Sequence, residues 1–256
     1  KVIILILAIS TIFSTGVASI NTDEVYSFKQ IFPSGSGLVF LVAFMGWMPA
    51  PLDISIWHSI WTLEKKKSQK ITAKESLFDF NVGYLATVIL GICFVSLGAL
   101  VMYNSGISFS NSGSIFAGQL IDLYTSNLGD GFYLIISICA FTTMLSTTIT
   151  CLDASPRTMS RATQLLTKNN DKNYYFHWIS ALAIGTMLIF YFLLSEMGAL
   201  VELATVLSFI TAPFYAILNY KLIMSDNMPK SHKPSKNLRI LSVTGIFFLS
   251  FFALGY

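Results

Sequence analysis

Residues 46–57, Gly-Trp-Met-Pro-Ala-Pro-Leu-Asp-Ile-Ser-Ile-Trp, place a thioether, two prolines and a carboxylate at the centre of an apolar run. Each of these groups has a chemistry. The soft sulfur of Met48 suits transition metals better than magnesium or calcium. It also suits ordinary packing, and the chain has nine methionines. Pro49 and Pro51, on either side of Ala50, each remove a backbone donor and clash with the preceding turn. Two so close together unwind a helix. In hydrocarbon, unwound backbone persists only where it is buried in protein or lines a wet cavity. Asp53 follows at once. An ionisable residue at that depth marks a functional site, as a cation ligand or a proton carrier. At the start of a helix it also stabilises the N-terminus, and both roles can hold together. His58 lies five residues on, about 140° around the helix, off the face that Asp53 shares with Trp57. A proton relay and a packing histidine remain open for it.

A second polar stretch, Phe-Thr-Thr-Met-Leu-Ser-Thr-Thr-Ile-Thr-Cys-Leu-Asp at 141–153, puts Thr143 and Thr147 on one helical face. Such hydroxyls bond back to their own helix or a neighbour, or they line an ion path. Asp153 and Arg157, spaced i, i+4, suit an ion pair. There is no His-Glu-x-x-His, no Gly-x-Ser-x-Gly and no phosphate-cradling glycine loop, so the chain is read as a non-enzyme. Cys93, Cys139 and Cys151 lie in apolar spans without a paired spacing, which implies no disulfide framework. Nothing in the sequence points to nucleic acid.

The elements that hold these residues follow from composition. Of 256 residues, 54% are hydrophobic and 11% charged, against about 25% charged in a soluble domain. Mean hydropathy is +0.66. This is a polytopic membrane protein in which 1–256 forms a single transmembrane domain. A crossing takes about 20 apolar residues, and seven runs qualify: 2–20, 34–62, 81–103, 131–152, 175–195, 200–223 and 238–256. The second is too long for one straight crossing and splits into half-helices at 34–47 and 52–62, broken at 48–51. The first resembles a signal peptide as well as the end of a membrane helix, and the helix is preferred. Pro213 predicts a kink in the sixth.

Loop charge supports the count. Fourteen of the sixteen basic residues fall in 63–79, 153–174 and 221–239, and Lys29 alone falls in the intervening loops. The alternation fits seven crossings with the basic loops in the cytoplasm. Asp23, Glu24, Asp122, Asp130, Glu196 and Glu202 lie outside or at the outer edge, where a negative vestibule concentrates cations or simply solubilises loops. Within 104–130, Phe116, Leu120 and Leu123 share one face, which predicts a short amphipathic helix on the outer surface.

The stretch Phe-Met-Gly-Trp-Met-Pro-Ala-Pro-Leu-Asp-Ile-Ser-Ile-Trp-His-Ser-Ile-Trp (44–61) resembles the sixth transmembrane helix of the Nramp family of divalent metal transporters. More narrowly, it resembles a bacterial subgroup with a Met-Pro-Ala-Pro sixth helix. Ser-Thr-Thr-Ile-Thr (146–150) is similar to the family's eighth helix, and 204–218 to its tenth. The resemblance implies an all-α, LeuT-like (APC superfamily) inverted-repeat fold, here truncated to about seven transmembrane helices with one discontinuous helix. It implies Met48 as the metal-coordinating methionine of a Met-Pro-His motif and Met45 as a carbonyl contact. Counting forward from Met48 sets Ala50 at the motif's histidine. Counting back from His58 sets Asp53 there, and both alignments stay open. Where the tenth helix carries glutamine, this chain has Ala204 or Thr205. The family's first-helix Asp-Pro-Gly-Asn motif does not occur, so the N-terminal helices of the same protein are expected to be missing from this chain.

The resemblance and the break together lead to a proton-coupled divalent metal transporter with manganese or iron as cargo. It would work by alternating access in a bacterial inner membrane, with metal as substrate and no cofactor. Its metal contacts are Met48 and Met45, its substrate or proton-coupling groups Asp53 and His58, and its break Pro49, Ala50 and Pro51. Thr143, Thr147 and Thr205 are its polar lining. An amino-acid or amine symporter of the same fold and a non-transporting membrane subunit are the alternatives.

Overall fold

The computed structural model describes residues 2–21, 32–48, 50–102, 110–169 and 171–255. Pro49, Asp23, Glu24 and Lys29 fall outside the described residues. Among those described, regular structure is entirely helical: α1 (Val2–Asn21), α2 (Ser36–Trp47), α3 (Ile54–Ser68), α4 (Ala73–Met102), α5 (Gly113–Leu128), α6 (Tyr133–Thr167), α7 (Tyr175–Leu193), α8 (Met197–Met224) and α9 (Lys236–Gly255), with three short 3₁₀ turns.

Six of these helices are long and apolar enough to cross a bilayer: α1, α4, the run Asp130–Thr167 that contains α6, α7, α8 and α9. α2 is a shorter apolar helix. The span expected at 34–62 thus appears as α2 and α3, with 48–53 between them. α6 has 35 residues, about 52 Å at 1.5 Å per residue, well beyond a hydrocarbon core of about 30 Å. Its C-terminal part, which carries Arg157 and Arg161, therefore reaches past the apolar segment. α7 buries no side chain, and large apolar groups on α9 such as Phe247 and Phe251 are at least 70% exposed. An exposed apolar face of that extent belongs in lipid.

Local chemistry sets the helix ends. The Thr72 N–H and hydroxyl both donate to Glu75 Oε2 at 2.9 Å, and the Glu75 N–H returns to Thr72 Oγ1 at 3.2 Å. This capping box starts α4. Gly129, at φ 90°, closes α5 by donating its N–H to the Thr125 carbonyl at 2.7 Å. A side chain there would be strained.

The chain divides into two compact units, Lys1–Lys29 with Ile56–Ala199 and Gln30–Ser55 with Leu200–Tyr256. In the first, Ala18, Leu97, Leu123, Tyr124 and Ile136 form a buried core from α1, α4, α5 and α6. The amphipathic helix expected in 104–130 is α5. It turns Leu120 and Leu123 onto this core while Phe116 stays half-buried. Tyr124 Oη shares a hydrogen bond with Thr11 Oγ1 at 3.0 Å, and Thr15 Oγ1 donates to the Cys93 carbonyl at 3.0 Å. Within α6, Asp153 accepts from Arg157 Nε at 2.7 Å, Trp61 Nε1 at 3.2 Å and Tyr175 Oη at 3.1 Å. The expected i, i+4 pair is therefore one part of a network joining α3, α6 and α7. The Arg157 guanidinium also stacks 5.3 Å from the Tyr175 ring centroid.

In the second unit, Val42, Phe209, Ala212 and Pro213 are buried. α2 meets α8 at Gly46, where an added Cβ would collide with the Thr205 carbonyl and lie 3.2 Å from the Phe209 backbone nitrogen. α8 runs its 28 residues through Pro213.

Candidate functional site: the helix break and its splint

α2 ends at Trp47. Met48 is extended, at φ −108° and ψ 122°, and its N–H donates to the Phe44 carbonyl at 2.9 Å. The N–H groups that would continue the ladder to the carbonyls of residues 45 and 47 belong to residues 49 and 51. Both are prolines and have no N–H to give. The carbonyls of Met45 and Trp47, four residues earlier, therefore lose their helical donors by covalent structure alone. Met45 and Met48 are both half-buried. The chain re-enters helix through the Ile54 and Ser55 N–H groups, which donate to the Pro51 and Leu52 carbonyls at 3.2 Å each. Asp53 sits directly before α3 and is half-buried.

α8 splints this break. Before it, Trp47 Nε1 donates to Ser208 Oγ at 3.0 Å. Beyond it, Asn219 Nδ2 donates to Ser55 Oγ at 3.0 Å, and Ser55 Oγ donates to the Leu52 carbonyl at 2.7 Å. Between the two ties lies a cavity of about 160 Å³ lined by Leu52, Asp53, Leu207, Ser208, Thr211 and Tyr215. Residues 208, 211, 215 and 219 follow i, i+3, i+7 and i+11 and so share a helical face. The arrangement offers one carboxylate and three hydroxyls around a small space. A cation or a transferred proton could be held there by oxygen donors alone, because hard cations take carboxylate, hydroxyl and carbonyl oxygen.

The other sequence candidates are placed as follows. Thr205 is buried, and its hydroxyl donates to the Val201 and Glu202 carbonyls of its own helix at 2.8 Å each. It is absent from the cavity lining, whereas Ser208, Thr211 and Tyr215 supply it. Those three were missed by counting positions along the tenth-helix resemblance. The polar stripe through an otherwise apolar helix was their signal. His58, in the first unit, packs edge-on to Phe80 with centroids 5.4 Å apart. Thr143 and Thr147 also belong to that unit. Thr147 Oγ1 donates to the Thr143 carbonyl at 2.9 Å, while Thr143 Oγ1 is buried without a hydrogen-bond partner among the described residues. Ala50 and Pro51 are half-buried in the break, and Pro49 lies outside the described residues. Among the described residues, no three His, Cys, Asp or Glu side chains gather as a metal cluster.

The description "natural resistance-associated macrophage protein-like" (Nramp) belongs to a family model that matches residues 1–255. An uncharacterized protein of Pasteurella multocida (strain Pm70) is 34% identical over 221 residues, covering 86% of this chain and 50% of that protein. The chain thus spans about half the length of the curated relative it matches. No solved structure matches.

Proposed function

The chain belongs to the Nramp family, a membrane family with the LeuT-like fold, and we propose that it forms one wall of a transport path for divalent metal ions. Manganese or iron is the proposed cargo and protons the coupling ion. The observation that carries the reading is the interruption between α2 and α3, with Asp53 on a polar cavity beside it. Unwound backbone at a half-helix end is how secondary transporters build their ion sites.

In this reading the Met48 sulfur and the Met45 carbonyl take the metal. The sulfur favours a transition metal over the more abundant hard cations. Asp53 adds negative charge or carries the proton, and Thr211 and Tyr215 are hydroxyl partners for either. The opposite wall is supplied by further helices of the same protein. His58 is kept for proton coupling, and Thr143, Thr147 and Thr205 for polar lining. The buried, unpartnered hydroxyl of Thr143 supports a group that takes a water or an ion in transit, since buried polar groups are otherwise satisfied. Alternating access is a change of angle at the break in which one of the two ties to α8, Trp47–Ser208 or Ser55–Asn219, holds while the other gives way. The protein sits in a bacterial inner membrane with its basic loops in the cytoplasm, and acidic loops outside raise the local cation concentration.

Radioactive manganese uptake by the whole protein tests this reading, using Met48→Ala and Asp53→Asn. Loss of most uptake in both variants, at equal membrane abundance, is the expected result. Uptake at the parental level in both would remove these residues from the site. Inhibition by amino acids instead of by competing metals would favour the amine symporter.

A further inference from the structure

A second, larger cleft lies in the first unit, where α3 turns into α4. It has a volume of about 540 Å³ and is lined by Lys65, Lys70 and Lys74 together with Thr62, Gln69, Ile71, Glu75, Ser76, Phe78 and Asp79. Among the described residues, no ion pair engages Lys65, Lys70 or Lys74, and the neighbouring pair joins Lys67 to Glu64 instead. One of the two carboxylates at the cleft is already committed. Glu75 accepts the Thr72 N–H and hydroxyl as the helix cap. The lining therefore holds three lysines and, in Asp79, one carboxylate not held in a cap.

The cleft has a polar side and an apolar side. Leu77 and Phe78 are 60% and 70% exposed, and exposed apolar residues continue along α4 with Val82 and Leu85. The cleft thus sets lysines beside the exposed apolar residues that begin α4. Lysine clusters directly beside a membrane helix recognise anionic headgroups.

We propose that this cleft is a binding site for a phosphate group, presented by an anionic phospholipid whose acyl chains run along the exposed face of α4. Lys65, Lys70 and Lys74 hold the phosphate oxygens. Thr62, Gln69 and Ser76 offer hydrogen bonds to phosphate or glycerol oxygens. Asp79 disfavours a second anion, so one headgroup is the expected occupancy. The site is independent of the metal path and does not rest on it.

The test measures retention of phosphatidylglycerol by the purified whole protein, with phosphatidylcholine as the neutral reference, by native mass spectrometry. Near a membrane surface each lysine contributes roughly 1 kcal/mol, about fivefold in affinity. Lys65→Gln, Lys70→Gln and Lys74→Gln combined should weaken phosphatidylglycerol retention on the order of a hundredfold and leave phosphatidylcholine unchanged. Lys230→Gln with Lys236→Gln, in another basic loop, should have little effect. The corresponding triple lysine-to-arginine variant keeps the charge and should keep retention, which separates loss of a site from loss of folding. Inorganic phosphate distinguishes the source. Binding of phosphate alone at matched concentration supports the same cleft with a free anion as its ligand, and failure of phosphate to displace the lipid supports the membrane source. Equal phosphatidylglycerol retention by the glutamine triple and the parent protein overturns the proposal. So does equal weakening by the two glutamine variants.

Discussion

Gly46 offers the sharpest test of how the break is held. A Cβ at this position would strike the Thr205 carbonyl oxygen, with its carbon at 2.9 Å and the Phe209 nitrogen at 3.2 Å. Every atom in its way is backbone, so no rotamer change relieves the contact. Restoring ordinary contacts of about 3.5 Å to the Thr205 carbonyl oxygen requires α2 and α8 to part by more than about 1 Å. That separation also stretches the Trp47–Ser208 bond, now 3.0 Å. Overpacking of this kind costs about 1–3 kcal/mol. Gly46→Ala should therefore destabilise the protein even though alanine is the better helix former by up to about 1 kcal/mol. Gly83 in α4 is the control, because a Cβ there meets nothing within 4 Å. Gly83→Ala should be neutral or stabilising by up to about 1 kcal/mol. The helix-propensity gain is common to both variants and cancels, so they differ by roughly 1–3 kcal/mol, and at about 2 °C or more per kcal/mol for a chain of this size their melting temperatures part by at least about 2 °C. Thermal unfolding of both in the same detergent, read by tryptophan fluorescence, measures this. If Gly46→Ala melts at or above Gly83→Ala, α2 and α8 do not meet at this glycine, and the splint across the break is refuted.

Trp47→Phe keeps an aromatic ring but loses the pyrrole half of the indole together with the hydrogen bond to Ser208, so it should cost at least the roughly 0.5–1.5 kcal/mol of that bond in the same unfolding assay. Asn219→Leu removes the tie beyond the break and should increase hydrogen exchange at the Ile54 and Ser55 amides more than at Trp47. Asp153→Asn leaves Arg157 without its carboxylate partner, and the melting temperature should fall further than for Tyr175→Phe, which removes one of the three donors. Lys67 donates to Glu64 at 2.7 Å and holds that exposed carboxyl below its ordinary range. The pair's contribution is accordingly present above the ordinary glutamate range and lost as pH falls through the lowered value. Glu64→Gln should abolish that part of the acid-side stability change, and high salt should shrink it in the parent.

Much of this architecture is written in residue type and spacing. Long apolar runs dictate helices because lipid leaves the backbone no other way to satisfy its polar groups. The prolines at 49 and 51 dictate the interruption between α2 and α3, and they strip the Met45 and Trp47 carbonyls of their donors without reference to any neighbour. Asp153 and Arg157 meet because four residues make one helical turn. These are local consequences of covalent chemistry. Which side chains surround Asp53 is not local. Trp47 meets Ser208 across 161 residues of sequence, and Asn219 meets Ser55 across 164. Helical periodicity puts Ser208, Thr211, Tyr215 and Asn219 on one face. It carries no information about which neighbour that face will meet. That was decided by packing: a glycine small enough to admit the Thr205 carbonyl sets α2 against α8 in one register, and the register delivers the hydroxyls to the carboxylate.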